Sequence, residues 1–488
     1  MRNVLVSSML VLSLFGCAVG PNYQRPSVES PPSWRFEEKE AREVANTVWW
    51  DQFDDPVLNE LIQTALQENK DLKIAAARIE EFIGRYVTTR AALFPQVSTG
   101  DSVGKNRVTQ KSSTPYPSTG ENPAYNLQAS LNASWEIDLW GKLRRATEAS
   151  RADLLSTEEG RRAVILSLVT SVANAYVNLR DLDKELEIAE RTAHSREESY
   201  DLFKTRYRVG VISETELYQA KSEYEQALAT IPFLEKTIAQ QENALSVLLG
   251  RNPGAIPRGK TIDEFVLPAV PAGLPSDLLT NRPDIRQAEQ DLIAANARIG
   301  VARAQYYPTI SLTALFGYAS TDLSNLFMGP AKIWSFAVPL TAPIFTGGAI
   351  KGRVKSAEAV QQEALLHYQQ SIQNSFREVE DALIDQRKSR EQLEVENLQV
   401  DSLRNYARLA RLQYDNGRTS YIEVLDAERS LFVAELSRAQ TKGVLFNSLV
   451  NLYKAMGGGW VLEADRLTDA ATDSKISRHE DEVLHANQ

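Results

Sequence analysis

The sequence has few histidines and no excess of basic residues, and past its N-terminus it has no long apolar run. Its four histidines include no pair at metal-ligand spacing, which argues against a zinc or iron centre. The net charge of −10 argues against nucleic-acid binding, which usually needs a basic face. No segment beyond the N-terminus approaches the ~20 apolar residues of a spanning helix. If the chain crosses a membrane, it therefore does so with strands.

Motifs of catalysis are absent as well. Serine, histidine and aspartate residues are scattered without an elbow motif, and the glycine-rich "MGGGW" at residues 456–460 follows a helical pattern rather than a strand. A phosphate-binding loop usually has several glycines and a lysine, and neither lone glycine, Gly210 or Gly417, has such surroundings. The sequence therefore predicts no enzyme, no metal site and no cofactor.

The only cysteine, Cys17, lies directly after a signal-peptide pattern. Arg2 precedes an apolar run at residues 4–15, and the "LFGC" that follows resembles the bacterial lipoprotein signal. This interpretation removes residues 1–16 and places N-acyl and diacylglycerol lipid on Cys17, with about 0.8 kcal/mol of membrane affinity per buried CH₂. Ala18, where lipoproteins of the inner membrane usually have aspartate, indicates the outer membrane. The alternative is a signal peptide that is cleaved elsewhere.

Four segments alternate between apolar and polar residues, which is the period of an amphipathic strand. The clearest is residues 123–138, where an apolar residue at every second position opposes asparagine, glutamine or serine. Residues 308–319 and 331–345 alternate similarly, and residues 95–108 do so more weakly. Each strand therefore has one face suited to lipid and one suited to water.

Two long segments that are nearly free of helix breakers predict helices far longer than the ~11–12 residues of an average globular helix. They cover residues about 141–208 and 347–415, and at 1.5 Å per residue each is about 100 Å long. Each ends near a lone glycine and precedes a second helix, at residues 213–249 or 420–456. The order helix, strand, strand, long helix, turn and helix thus occurs twice, which indicates an internal two-fold repeat.

These patterns divide the chain into six segments. They are a signal peptide (1–16), a lipidated extended arm (17–56), repeat one (57–250), an equatorial linker (251–280), repeat two (281–460) and a polar C-terminal tail (461–488). Four strands cannot close a barrel, because about eight are the lower limit and open edges are not stable in hydrocarbon. At least two chains must therefore combine, and three would give twelve strands. The alternative is a soluble sandwich with one solvated face.

Four separated motifs resemble signatures of the outer-membrane factor family, the TolC/OprM/NodT-like efflux channels. They are "CAVGPNYQRP" at 17–26, "WEIDLWGKLRRA" at 135–146, "RPDIRQAE" at 282–289 and "LDAERSLF" at 425–432. The resemblance implies a homotrimer that combines a twelve-stranded transmembrane β-barrel, four strands per chain, with a long α-helical barrel in the periplasm. It also implies a mixed α/β equatorial domain around the helices.

The same resemblance implies a passive exit duct for drugs or other small toxic compounds. Its partners would be a periplasmic adaptor (membrane fusion) protein, an inner-membrane RND-type transporter and the lipid of the outer membrane, with no nucleic acid. Two alternatives remain: a type I protein-secretion duct, and a non-conducting coiled-coil lipoprotein of the envelope.

The two glycine turns would form the periplasmic tip that docks onto the adaptor. The residues that the resemblance assigns to this tip are Val209, Gly210, Val211, Ser213, Gly417 and Ser420. Glycine ends a helix without steric cost because it readily takes the left-handed conformation. Each serine stands three residues before a glutamate, which predicts a capping box at the start of the returning helix.

The resemblance also places a gate around the second turn. Its residues would be Ile422, Glu423, Asp426, Glu216, Tyr414 and Arg429. Glu423 and Asp426 share a helix face at i, i+3, so a three-fold ring would stack their carboxylates beside an apolar plug at Ile422. Tyr414 and Glu216 resemble partners in the network that holds the gate shut. Taken alone, the acidic pair also fits a solvated helix face.

Overall fold

The computed structural model describes residues 18–28, 30–36, 48–107, 109, 111, 123–268, 275–457 and 459–468. The predicted signal peptide, the lipidation site Cys17 and most of the predicted C-terminal tail lie outside these residues.

Long helices and one antiparallel sheet make up the described chain. The helices are α1 (Pro56–Glu68), α2 (Lys70–Ala91), α3 (Lys142–Arg208), α4 (Glu214–Leu248), α5 (Pro275–Asn281), α6 (Pro283–Ala304), α7 (Ala349–Asp415) and α8 (Tyr421–Met456). The strands are β1 (Gln96–Asn106), β2 (Ala124–Ile137), β3 (Thr309–Ser320), β4 (Lys332–Ala337) and β5 (Leu340–Thr341). Residues 460–468 are also helical. The helices α3 and α7 have 67 residues each.

The chain forms two compact units, here named for their content. The sheet unit consists of Met1–Ser27, Arg78–Thr157 and Gln287–Tyr368. The helical unit consists of Val28–Ala77, Glu158–Arg286 and Gln369–Gln488.

In the sheet unit, the strands pair in the sequence order β1-β2-β3-β4, all antiparallel, and β5 pairs with β3. The last predicted strand, at residues 331–345, is shorter in the structure and is split into β4 and β5. Pro339 lies between the two pieces and Pro343 follows them. Proline has no N–H for the ladder, which explains the interruption.

The strand register gathers apolar side chains on one face of the sheet. Leu131 pairs with Phe316, and Phe316 pairs with Trp334, so the three side chains form a row across β2, β3 and β4. They are 52%, 47% and 74% exposed. Because large apolar side chains in a row are costly in water, this face is suited to an apolar surrounding.

The segment after Cys17 is packed against the sheet unit. The amide of Val19 donates to the carbonyl oxygen of Trp140 at 2.9 Å. Asn22 accepts from Arg145 at 2.6 Å, and Tyr23 donates to Glu289 at 3.0 Å. The start of the predicted extended arm is thus held at the junction of β2 and α3.

The predicted first helix, from residue 57 to the strand at residue 95, is in fact two helices. The backbone of Asn69 turns away from helical geometry, with ψ 134°. Its side-chain oxygen accepts from the amide of Leu72 at 3.0 Å, and its amide group donates to the carbonyl of Leu248 at 2.9 Å. Asn69 therefore caps α2 while tying it to the end of α4.

The core of the helical unit includes part of the predicted arm. A short 3₁₀ helix, Trp49–Phe53, buries Trp49 completely, and this ring stacks on Tyr453 with 5.3 Å between centroids. The ring of Trp460 meets Trp49 edge to face at 6.0 Å. Residues 48–53 are thus a structural part of the unit rather than a free linker.

One described helix, α3, contains a stretch long and apolar enough to cross a membrane by length and composition, contrary to the expectation from the sequence. Of this stretch, 56% is buried. The same helix contributes Ile165, Val169 and Val172 to the core of the helical unit. Its apolar side chains therefore serve packing between helices.

Candidate functional site

The two glycine turns have the same backbone structure. At the first, the amide of Gly210 donates to the carbonyl of Tyr207 and that of Val211 donates to Arg206, both at 2.9 Å. At the second, Gly417 and Arg418 make the equivalent bonds, also at 2.9 Å. Both glycines have positive φ, 77° and 70°. This is the Schellman motif, which ends a helix sharply and satisfies its last carbonyl groups.

The serines that follow the two glycines act differently. Ser213 forms the predicted capping box, because Glu216 donates its amide to the serine oxygen and its carboxylate accepts from the amide of Ser213 at 2.8 Å. This prediction is confirmed. Ser420 occupies the N-cap position of α8 but makes no capping bond with its side chain, so its predicted capping box is wrong. The carboxylate of Glu423 accepts from Thr419 instead.

The first turn exposes apolar side chains. Val209 and Val211, on either side of Gly210, are 69% and 70% exposed. These valines can therefore contact another protein.

An aromatic cluster joins the ends of α3, α7 and α8, and we name it the aromatic latch. It consists of Phe203, Tyr414 and Tyr421, with ring centroids 3.9 Å apart for Phe203 and Tyr421 and 5.2 Å apart for the two tyrosines. Phe203 and Tyr421 are buried. Burial, followed by the charge of Glu428, raises the pKa of Tyr421 to about 12, so its hydroxyl is protonated over the neutral range.

Arg206 of α3 closes the latch. Its guanidinium donates to the hydroxyl of Tyr414 at 3.0 Å and lies over that ring at 5.5 Å from the centroid. It also lies 6.0 Å from the ring centre of Phe203. A cation over an aromatic face is attracted by the ring quadrupole. The latch thus links the first helix hairpin to the second through one hydrogen bond and several ring contacts.

The predicted gate residues fall into two groups. Tyr414 belongs to the latch, but Glu216 does not meet it, because the carboxylate of Glu216 is engaged with Ser213. Sequence reasoning missed Arg206, the basic partner that Tyr414 has in the structure. Residues 206 and 414 are 208 positions apart, and no local pattern marks their contact.

The remaining gate residues lie on the first turns of α8. Ile422 is exposed, and Asp426 pairs with Arg429 at 2.8 Å on the same helix. Both side chains of this pair are half exposed, so it contributes little to stability. The structure thus places an exposed apolar residue and two carboxylates beside the second turn.

An ion-pair layer lies next to the latch and joins α3 to α4 and α7 to α8. The side chain of Arg196 is buried and lies 3.2 Å from a carboxylate oxygen of Glu223, while Arg411 lies 3.8 Å from Glu428. Burial raises the pKa of Glu428, and the charges of Arg411 and Arg196 oppose that rise. Within the described residues, no group of three or more His, Cys, Asp or Glu has a metal-binding arrangement.

Comparison with known proteins gives a family for this architecture. A family model described as "Outer membrane efflux protein" matches residues 61–251 and 274–458. The toluene efflux pump outer membrane protein TtgF of Pseudomonas putida is 36% identical over 472 residues, which are 94% of this chain and 98% of that protein. The cation efflux system protein CusC of Escherichia coli is 36% identical over 465 residues, which are 93% and 98% of the two chains.

A solved structure agrees with the sequence relatives. The open-state outer membrane channel MtrE of Neisseria gonorrhoeae superposes with a TM-score of 0.82 at 31% identity, over 91% of this chain and 99% of that one. The matched segments include both long helices, all the strands and both glycine turns. The chain therefore belongs to the outer membrane efflux protein family, whose members are outer membrane channels.

Proposed function

We propose that this chain is the exit duct of a tripartite efflux system, gated at its periplasmic tip. The observation that carries the proposal is the sheet, whose exposed apolar row across Leu131, Phe316 and Trp334 suits lipid. The opposite face carries the polar side chains of the alternating pattern and suits a water-filled lumen. The chain would act passively, and an inner-membrane transporter would supply the energy.

The edges of the sheet support a trimer. Strands β1 and β4 lie at the ends of the strand order in the described chain, and open edges are not stable in hydrocarbon. With β4 and β5 counted as one interrupted strand, each chain contributes four strands, and three chains would close a twelve-stranded barrel, a size that bacterial barrels reach. The long helices of the three chains would form an α-helical barrel, the two halves of each chain acting as a structural repeat.

The tip supports docking to a periplasmic adaptor protein. Val209 and Val211 present apolar surface on either side of Gly210, and Gly417 forms a second turn of the same shape. An adaptor that binds the tip more strongly when the helices have moved apart would shift the population toward the open duct. The transporter behind the adaptor would be of the RND type.

The latch and the acidic residues of α8 would hold the duct closed. The latch ties the first hairpin to the second within one chain, while Glu423, Asp426 and the exposed Ile422 would meet their copies around the three-fold axis. Carboxylates gathered at a constriction attract cations.

Loss of the latch hydrogen bond is expected to open the duct. Arg206→Ala removes one hydrogen bond and two ring contacts, about 1–2 kcal/mol of closed-state stabilisation. The open fraction in planar bilayers should then rise roughly tenfold. Arg208→Ala, which removes an exposed arginine of the same helix turn, is the matched control. Equal open fractions for the two variants would remove the latch from the gating mechanism.

The N-terminal segment supports a lipid anchor on Cys17. Ala18 lies against Gly141, since a Cβ there would be 2.8 Å from the Cα of Ala18. An acylated residue 17 would therefore enter the membrane beside the junction of β2 and α3. Cys17→Ser should abolish labelling by radioactive palmitate, while Ser8→Ala should leave it intact. Labelling of the Cys17→Ser protein at the wild-type level would exclude this site.

Deletion of the gene tests the proposed function as a whole. The relatives are named for toluene efflux and for cation efflux, so the panel should contain solvents, metal ions, drugs and dyes. We expect hypersensitivity to at least one class, restored by the wild-type gene. A deletion strain with normal sensitivity that fails to secrete one protein would favour a secretion duct. General envelope weakness without pore activity would favour a structural lipoprotein.

A further inference from the structure

A polar seam runs between α3 and α8 in the helical unit. Its hydrogen bonds join side chains from the two helices at successive turns. Asn447 donates to Asn178 at 2.6 Å, and Gln440 donates to Glu185 at 3.1 Å. Between these two bonds, Asp181 of α3 faces Gly443 of α8.

Gly443 lets the two helices approach at this level. A Cβ at Gly443 would lie 2.7 Å from a carboxylate oxygen of Asp181 and 2.9 Å from its Cγ, closer than side-chain atoms pack. Glycine also provides no side-chain donor. Within the part of the chain that the structure describes, the other carboxylate oxygen, Oδ1, is buried and has no hydrogen-bond partner.

Within the described residues, no basic side chain forms an ion pair with Asp181. The basic residues next to it in the two helices bind other carboxylates: Arg180 binds Asp183, and Lys184 and Lys442 both bind Asp263, at 3.1 and 2.9 Å. Glu185, one turn along α3, is buried and adds a like charge. Burial, and then Glu185, raise the pKa of Asp181 to about 8.

We propose that Asp181 is a proton-dependent brace between α3 and α8. With its carboxyl group protonated, the helices stay packed at Gly443. When the group ionises, a charge with a buried, unpartnered oxygen is left against Gly443 and beside Glu185, and the seam loosens because burial of an unpaired charge is costly. If the duct opens by movement of these helices, as proposed above, opening would become easier at alkaline pH.

The direction of the pH dependence follows from linkage. The folded protein binds the proton of Asp181 more tightly than the unfolded chain, whose aspartate pKa is 3.8. The stabilisation is therefore fully present below the unfolded pKa and is lost as the pH rises through about 8. An uncharged side chain at this position removes the dependence.

Thermal unfolding of the full chain in detergent tests the brace without reference to transport. We expect the wild-type melting temperature to fall by about 2–4 °C between about pH 6 and pH 9. Asp181→Asn should abolish that fall, and Glu190→Gln, which neutralises an exposed carboxylate of the same helix, should leave it unchanged. Glu185→Gln should move the midpoint of the fall to lower pH, because the like charge is removed. A fall that persists unchanged in Asp181→Asn would overturn the proposal.

Infrared titration of the wild-type protein provides a readout even if a variant fails to fold. A protonated-carboxyl band that disappears near pH 8 is expected, and its absence throughout the range would contradict the brace.

Conductance recordings in planar bilayers distinguish a failure of the Asp181 proposal from a failure of the proposed duct function. A conducting wild-type channel whose open fraction rises roughly tenfold from about pH 6 to pH 9, against a constant value in Asp181→Asn, would support the brace as a regulator of opening. If wild type and Asp181→Asn both conduct with the same pH dependence, Asp181 does not regulate opening, although the protein is still a duct. Absence of any conductance would contradict the proposed duct. The melting and infrared experiments would then still test whether Asp181 is a proton-dependent brace.

Discussion

Replacing Arg282 with methionine is expected to lower the free energy of unfolding by about 2–3 kcal/mol. The side chain of Arg282 is 4% exposed and makes a two-pronged contact with Asp284, at 3.0 and 2.7 Å. It also donates to Glu378 at 2.8 Å and to the carbonyl of Ala455 at 2.9 Å. Methionine fills the volume but leaves the buried carbonyl of Ala455 without its donor, and it removes the charge-assisted hydrogen bonds to two partly exposed carboxylates.

The end of α8 packs closely against the side chain of Arg282. A Cβ at Gly457, the residue that ends α8, would lie 2.3 Å from Cγ of Arg282, so only glycine leaves room for the arginine. Arg85→Met is the matched control, because its pair with Glu81 lies on the surface of α2 and is worth about 0–1 kcal/mol. Denaturant unfolding followed by circular dichroism measures both. A loss for Arg282→Met no larger than for Arg85→Met would show that the cluster does not stabilise the fold.

Removal of both carboxylates beside the second turn is expected to raise the conductance of the channel. Glu423→Ala and Asp426→Ala together would remove two negative charges per chain, and so six from the proposed three-fold ring. Conductance in planar bilayers should then rise severalfold, because less charge and less side-chain volume close the constriction. Cation selectivity, measured as the reversal potential in a salt gradient, should fall.

A second pair of carboxylates controls for net charge. Glu391→Ala with Glu394→Ala removes two exposed acids of α7 far along the chain from the turn. This variant should conduct like the wild type. If the first variant also retains wild-type conductance and selectivity, the acidic residues are a solvated face of α8 and not a gate.

The regular elements could be predicted because their signals are local. A strict apolar–polar alternation marks β2, and near-absence of helix breakers marks α3 and α7, so each pattern is contained in the element itself. The fourth strand was overestimated because its alternation continues through Pro339 and Pro343, whose missing N–H groups interrupt the ladder.

Features that depend on distant contacts could not be read from the sequence. The break at Asn69 separates α1 from α2 because its side chain bonds to Leu248, a residue 179 positions away. The burial of Trp49 likewise depends on Tyr453 and Trp460 at the other end of the chain. The sequence predicted an extended arm over residues 17–56, but residues 49–53 form a 3₁₀ helix that packs into the core.

The same distinction applies to the candidate site. Both glycine turns could be predicted because the signal for helix termination is local. Both turns have the Schellman hydrogen bonds in the structure. The cap at Ser420 was wrong although its spacing equals that of Ser213, because Glu423 takes a hydrogen bond from Thr419. Arg206 was missed because its role depends on Tyr414 in the other hairpin.

Recording of the purified, full-length wild-type protein in planar bilayers tests directly whether the protein is a gated exit duct. We predict discrete conductance steps that select for cations and have a low open fraction at neutral pH. A protein that inserts stably into the bilayer as a trimer but gives no steps under any voltage would contradict the account of a gated exit duct.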